Sequence, residues 1–589
     1  MSVTTAEEIE LENMTENGDI AIGSKMFASA ASEPFLAALL EFNTGAVRGN
    51  ATKKADIEGF SNTLYAKLNE INLSGKETVD AFLRLIGHNR DIESGKGERL
   101  IAYCMIRYLL AKEKIAEAKH ITSVLVTHKN HYGSWRDVDT LYDYLLKNGT
   151  LVGEFNRFLL DLVATQLRRD QELVATGLGV PNKVSRIFSY LPKYGASKSK
   201  YDEILGNGAE LEEVSRAMSS WTDSERSKFK SIKISLCGKW QNIRSNFGNE
   251  LAKHMFSKVP DFKSQEKNLR QLLSSLRKVL LVTECLMSSQ LYGTIEPSSV
   301  PAKAMLRYKK VFQSYEIMSK KNDLQGRNLF RHKLEQLLSG KTDKKIKTSG
   351  LQFYELLKTY VDGGAKDPVI EVQAKEIVLQ FQKLVEESKF PICVGLVDVS
   401  GSMSGVPMVV SVSLGILLAN IMPMHWNQLI TFHETPSWVS VNTSSSFHNQ
   451  VRSLMEAPWG GSTNVVKALQ MVREKAMNRS SCLPEAFIIF TDMQYDSCGD
   501  KSKTSLQFVK QDYEAVGLKF PKVICWNLRA SDTRALPASA DESGVCLVSG
   551  FSQALFKAFV NGLDFDKFTP LTVFKEILYS ERYAPCEFP

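Results

Sequence analysis

Several signals that would tie this sequence to a familiar chemistry are missing from it. No CxxC pair occurs among its nine cysteines, at positions 104, 237, 285, 393, 482, 498, 525, 546 and 586, so a cysteine-based zinc site has no basis. An odd, scattered set with several members in apolar runs fits a reducing compartment, where cysteine serves as a small core residue. The opening MSVTTAEEIELENMTENGD is acidic and polar, unlike a signal peptide or an arginine-rich transit peptide. No uninterrupted membrane-length apolar run is present. The longest near-apolar stretch, residues 406–424, contains Ser411, Ser413 and Asn420, carries Pro407 and Pro423 near its ends and lacks flanking Lys/Arg anchors. It reads as a buried helix following a parallel strand. The glycines of SGKGER (94–99) precede no lysine–Ser/Thr pair and follow no strand pattern, which excludes a Walker loop. A G-x-S-x-G elbow and a Cys/His pairing are also absent, and the expectation is a protein that is not an enzyme.

Acidic residues are scarce in the middle third. Residues 181–350 hold 32 Lys+Arg against 16 Asp+Glu, whereas the remainder holds 41 against 50. Charge this concentrated points to a polyanionic partner such as RNA; the alternative is a solvated basic surface. Two loops in this region, 193–213 and the four-lysine SGKTDKKIKTSG (339–350), read as long, flexible and placed to meet a phosphate backbone.

At 589 residues the chain is too long for one ordinary core. Residues 1–55 read as a polar, partly ordered lead-in. From 56 to 390 the apolar residues recur at three- and four-residue spacing. The stretch from Thr78 to Lys114 gives two such stripes parted at Ser94–Gly97, the pattern of a helical hairpin. Similar segments follow, suggesting a HEAT-like α-solenoid or ring, although no strict repeat period is visible. His128 and His131 read as surface helix residues.

Near Pro391 the period changes. Apolar strand-like runs at 392–397, 428–433, 437–441, 486–491, 522–528 and 545–550 alternate with helical stretches at 406–422, 447–456, 465–477, 503–516 and 551–562. Strands apolar on both faces and separated by helices predict a doubly wound, mostly parallel, Rossmann-like sheet over 391–565. A C-terminal helix and tail occupy 566–589. The fold class is thus α plus α/β, in more than one domain.

Ligands of such sheets bind at the carboxyl ends of the strands. The first strand ends in VDVSGSMSG, where Asp398, Ser400 and Ser402 are spaced by two. Thr463 follows a Gly-rich stretch just before a helix, and Asp492 ends the strand FIIFT. All five offer oxygen from tips on one side of the sheet, as a hard divalent cation requires. Asp496 lies close by without an assigned role, and His433 and Glu434 lack partners at metal-ligand spacing.

In order and placement these residues resemble a von Willebrand factor A domain with a complete metal-ion-dependent adhesion site. The resemblance implies that Ser400 and Ser402 bind the ion directly, that Thr463 does so conditionally, and that Asp398 and Asp492 act largely through water. It also implies that an Asp or Glu of a protein partner takes the open position. Mg2+ fits best, with Mn2+ or Ca2+ as alternatives. An α-solenoid ahead of such a domain resembles the TROVE-containing Ro ribonucleoproteins. HNRDIESGKGER (88–99), YGSWRDVDTLYDYL (132–145) and KISLCGKW (233–240) are similar to a related family of undefined function. The Ro resemblance implies small or misfolded RNA as a partner of the helical part. The candidate contacts are Lys239, Arg277, Lys278, Arg307, Lys309 and Lys310, with Trp240, Tyr308 and Phe229 as stacking neighbours. The charged 88–99 segment reads alternatively as a buried ion-pair corner or a helix cap.

Together these features predict a cytoplasmic scaffold, of cellular or viral origin and without a membrane partner, that docks an acidic group through Mg2+. The rivals are a Ro-like RNA-binding ring, and a metal-dependent hydrolase whose turnover would require Asp398.

Overall fold

The computed structural model describes residues 22–23, 31–48, 54–178, 234–289, 291–314, 324–388, 390–432, 435–456, 463–478, 483–493, 504–529, 535–556 and 568–589. The loop 193–213, the stretch 226–233 with Phe229, and residues His433, Glu434 and Asp496 lie outside the described residues. The chain forms two compact units: Met1–Leu109 with Gly350–Pro589, and Leu110–Ser349. The division does not follow the change of period near residue 390. The helices on both sides of 110–349 group with the sheet.

The first unit begins with helices α1 (Pro34–Gly45), α2 (Lys54–Leu68) and α3 (Lys76–Arg90) and the start of α4 (Arg99–Ala111). The second contains α5 (Ile115–Thr127), α6 (Arg136–Lys147), α7 (Gly153–Leu178), α8 (Asn246–Met255), α9 (Phe262–Val279), α10 (Thr283–Ser288), α11 (Ala302–Gln313) and α12 (Leu324–Leu338). The first unit then resumes with α13 (Phe353–Val361) and α14 (Pro368–Glu386), followed by β1 (Cys393–Asp398), α15 (Val406–Ile421), β2 (Gln428–Phe432), β3 (Ser437–Ser440) and α16 (Phe447–Met455). It closes with α17 (Val465–Asn478), β4 (Ala486–Thr491), α18 (Ser505–Ala515), β5 (Lys522–Asn527), β6 (Val545–Ser549) and α19 (Pro570–Leu578). Each of these six strands lies within a residue or two of its expected place; a short antiparallel pair, Ile22–Gly23 with Ala535–Leu536, was not expected.

The six strands form one sheet in the order β3-β2-β1-β4-β5-β6. All neighbours are parallel except β2 and β3, which pair antiparallel at the edge. Every residue of β1 and β4 is buried, as parallel strands covered on both faces require. Edge strand β3 is partly exposed and carries Ser437 and Ser440. The stretch once comparable to a membrane span is α15, buried over most of its length. Gly415 lets it close on β1, since a Cβ there would stand 2.5 Å from Val397 Cγ2. Helices α13 and α14 pack on the other side of α15, so it is apolar all round because it is enclosed. Glu371 of α14 accepts from Phe447 N and His448 N at 2.8 and 3.0 Å, satisfying two amides that open α16. Among the described residues no helix is long and apolar enough to cross a membrane.

Segment 88–99 is a buried polar corner. Asp91, fully buried, accepts from Arg582 NH2 at 2.8 Å and from Tyr583 OH at 3.0 Å. The Lys96 amine donates to Asn43 O at 2.8 Å, Ala46 O at 2.7 Å and Ser549 Oγ at 2.9 Å. It thereby caps carbonyls at the end of α1 and joins them to the end of β6. Burial pulls its pKa down to about 7, with Glu98 opposing.

In the helical unit, α9 buries Leu269, Leu272, Leu273, Leu276 and Val279 along one stripe. Asp261 caps its first turn through Ser264 N at 2.8 Å. The loop 339–350, expected to be long and flexible, is tied down. Lys347 Nζ donates to Ser299 O at 2.9 Å, Lys344 lies 3.4 Å from Glu296, and Ile346 is buried. His128 and His131 fall beyond the end of α5 rather than on a helix. His128 stacks on Tyr132, and His131 takes a left-handed turn at φ 53.

Candidate metal centre

The strand order reverses between β1 and β4, because β2 and β3 lie to one side of β1 while β4, β5 and β6 lie to the other. The loops leaving β1 and β4 therefore diverge and open a crevice at their carboxyl ends. Asp398 is the last residue of β1, and Asp492 follows the last residue of β4.

Both Asp398 oxygens are engaged. Ser400 N donates to Oδ1 at 3.0 Å, turning the chain sharply out of the strand, and Thr491 Oγ1 donates to Oδ2 at 2.7 Å. Thr491 Oγ1 in turn accepts from Met493 N at 3.1 Å, and Met493 has φ 65. Ser400 and Ser402 bring their Oγ atoms within 3.1 Å of each other. Asp398, Ser400, Thr463 and Asp492 are all buried. Burial and then the neighbouring Asp492 carboxylate raise the Asp398 carboxyl to about 7, against the opposing Ser400 and Thr491 hydrogen bonds.

Asp398, Ser400, Ser402 and Asp492 thus share one crevice. Thr463 is buried two residues ahead of α17. The donors are oxygens of two carboxylates and of serine hydroxyls, a set for a hard cation. The Ser400–Ser402 separation of 3.1 Å matches the edge of about 3 Å between adjacent ligands of an octahedral ion held at ~2.1 Å. Among the described residues no three His, Cys, Asp or Glu side chains gather; the described acidic side chains of the crevice are Asp398 and Asp492.

Two residues of the crevice escaped the sequence reading. Thr491 was legible as the residue before a strand-terminal aspartate. Arg529, whose NH1 donates to Ser402 O, sits two residues past β5, at the same carboxyl edge.

The six basic candidates fall into two groups in the helical unit. Lys239, Arg277 and Lys278 surround Cys285 and jointly pull its thiol down against the larger effect of burial. Lys239 Nζ lies 5.1 Å from the centroid of the half-exposed Trp240, with Arg136 at 5.9 Å. Arg277 differs from its neighbours, donating to Gly238 O at 2.9 Å and to Gln241 O. Its guanidinium thus ties α9 to the turn at 237–240. Arg307, Lys309 and Lys310 lie on α11, with Arg307 and Lys310 exposed. Tyr308 there packs edge-on against Phe312 at 6.1 Å.

Residues 392–577 match a family described as a domain of unknown function, DUF7788. The match spans the whole sheet, from the start of β1 into α19. The chain is also similar to an uncharacterized protein of Acanthamoeba polyphaga mimivirus. The two are 28% identical over 513 residues, covering 85% of this chain and 80% of that protein.

Proposed function

We propose that the sheet-bearing part, 391–565, is a von Willebrand factor A-like domain whose crevice binds Mg2+ and docks an Asp or Glu of a protein partner. One observation carries this: Asp398, Ser400, Ser402 and Asp492 meet where the strand order reverses, with the two hydroxyls at ligand-edge spacing. Bound there, the ion would supply an electrophilic position for an external carboxylate oxygen. Ser400 and Ser402 would hold it through neutral hydroxyls, leaving most of its charge for the partner. Thr491 and Ser400 N fix the Asp398 carboxylate, and Thr463 joins according to whether a partner is present. The donors brought together among the described residues are rich in neutral hydroxyls and include no histidine, which favours docking over hydrolysis. The protein is read as a non-enzymatic cytoplasmic scaffold, with a HEAT-like helical part organising the complex.

The test is thermal unfolding with and without millimolar Mg2+ or Mn2+, alongside Asp398→Asn. Wild type is expected to gain stability with metal. The variant, which keeps the shape but removes a buried like charge, should gain none while staying folded. An equal gain in both would sink the reading.

A second reading is favoured by a separate observation: Lys239 and Arg136 lie 5.1 and 5.9 Å from the centroid of the half-exposed Trp240 indole, a combination that suits single-stranded RNA. Filter binding at two salt concentrations would compare wild type with charge reversals of Lys239 and Lys278 and of Arg307, Lys309 and Lys310. A steep salt slope lost in either variant supports a Ro-like ribonucleoprotein role. Salt-insensitive or absent binding removes it.

A further inference from the structure

The loop carrying Ser400 and Ser402 has no regular structure beyond a single turn at Gly401–Met403, yet its two hydroxyls must stay aligned to share one ion. A distant side chain, that of Arg529 on the far side of β4, is tied to this turn. Strands β1 and β5 are separated by β4, a span of about 10 Å at ordinary strand spacing. Arg529 crosses it, with NH1 donating to Ser402 O. Its own backbone is fixed at the start of that reach. Arg529 N donates to Asn527 Oδ1 at 3.0 Å, and Asn527 Nδ2 donates to Thr44 O, in α1, at 2.9 Å. Asn527 is buried, so this anchor is screened from water. A bonded path thus runs from the end of α1 through Asn527 and Arg529 to the carbonyl of a candidate metal ligand.

We infer that Arg529 is a positioning residue for the metal centre: it holds the Ser402 carbonyl and so keeps the Ser402 hydroxyl beside that of Ser400. This deepens the metal-docking reading and rests on it. The residue does not touch the ion; it acts through Ser402, as outer-shell partners orient metal ligands elsewhere. A lysine at the same place could donate to one carbonyl but lacks the planar fork that fixes direction. Asn527 acts one bond further back, so its loss should matter less.

The experiment is calorimetric titration of the purified full chain with Mn2+ alone and then with Mg2+ alone. The variants are Arg529→Ala, Arg529→Lys and Asn527→Ala, each checked for wild-type circular dichroism and unfolding midpoint. Arg529→Ala should bind either ion at least about tenfold more weakly. Arg529→Lys should recover part of that loss, and Asn527→Ala should fall between wild type and Arg529→Ala. Should Arg529→Ala lose its fold, Arg529→Met, which keeps the apolar stem and lacks the donor, takes its place. Unchanged affinity in a folded variant without the donor overturns the inference and leaves the metal centre standing. No binding heat from wild type overturns both.

Discussion

The two units lean on charged residues to different degrees. In the sheet-bearing unit, beside exposed local pairs such as Lys383 with Glu387, some charges are buried and held by partners far away in sequence: Lys96 meets Ser549, and Asp91 meets Arg582 and Tyr583. In the helical unit the pairs are mostly local and exposed, such as Lys253 with Glu250 and Arg270 with Glu266, the kind that contributes little to stability. A charge in the first unit is therefore chiefly an element of architecture or of the crevice. A charge in the second more often serves a surface; buried Asp170, held by Ser235, and Arg277 are exceptions, and Arg277 is the informative one.

The contrast can be broken most sharply at the Asp91 corner. Arg582→Ala leaves a fully buried carboxylate without its cation and should cost about 3 kcal/mol, read as a lower urea midpoint for the sheet-bearing unit. A loss within about 0.5 kcal/mol, as for a surface substitution, would erase the distinction. Next comes the exception. Arg277→Ala removes charge-assisted bonds to two carbonyls and should cost about 2 kcal/mol, whereas Arg307→Glu on the exposed face of α11 should change stability by no more than about 0.5 kcal/mol. Equal effects would mean that the two basic groups are alike.

The smallest effect is a pH slope. Burial, aided by Lys96 and opposed by Asp91, lowers the His88 pKa from 6.5 to about 4. Between those values the unfolded chain binds the proton and the folded chain does not, so stability is full above the higher value, drains as pH falls from the higher value to the lower, and is lost below it. The loss should be about 1 kcal/mol over the first pH unit below 6.5. His88→Gln should flatten this part of an unfolding-versus-pH curve; an unaltered slope would assign the protons elsewhere.

The sheet was legible because β1, β4, β5 and β6 are short runs apolar on both faces. The crevice followed from topology, since Asp398 and Asp492 end strands that flank the reversal in strand order. Arg529 was not legible: its role depends on reaching across β4, and strand order in space is not written in periodicity. The compact units were also hidden. Helices α1, α3, α13 and α14 have the same three- and four-residue spacing as α9, and spacing does not say which layer a stripe will cover. The segment 88–99 was open between a helix cap and an ion-pair corner, and it is both, since Lys96 caps α1 while Asp91 pairs with Arg582. Arg277 and Arg307 look identical in sequence and differ only in what stands beside them.

The position of residues 110–349 in the middle of the sheet-bearing unit has a consequence for synthesis. Asp91 leaves the ribosome 491 residues before Arg582, an interval on the order of tens of seconds at ordinary elongation rates. For most of it, the polar corner of 88–99 has neither its arginine nor the β6 serine, and α1 has no lysine-to-sheet junction to join. The intervening helices can fold as they emerge, but the first hundred residues must wait for the last hundred. The nascent chain therefore carries an unfinished amphipathic end past a finished domain, and that end is where a chaperone would find its longest-lived client surface.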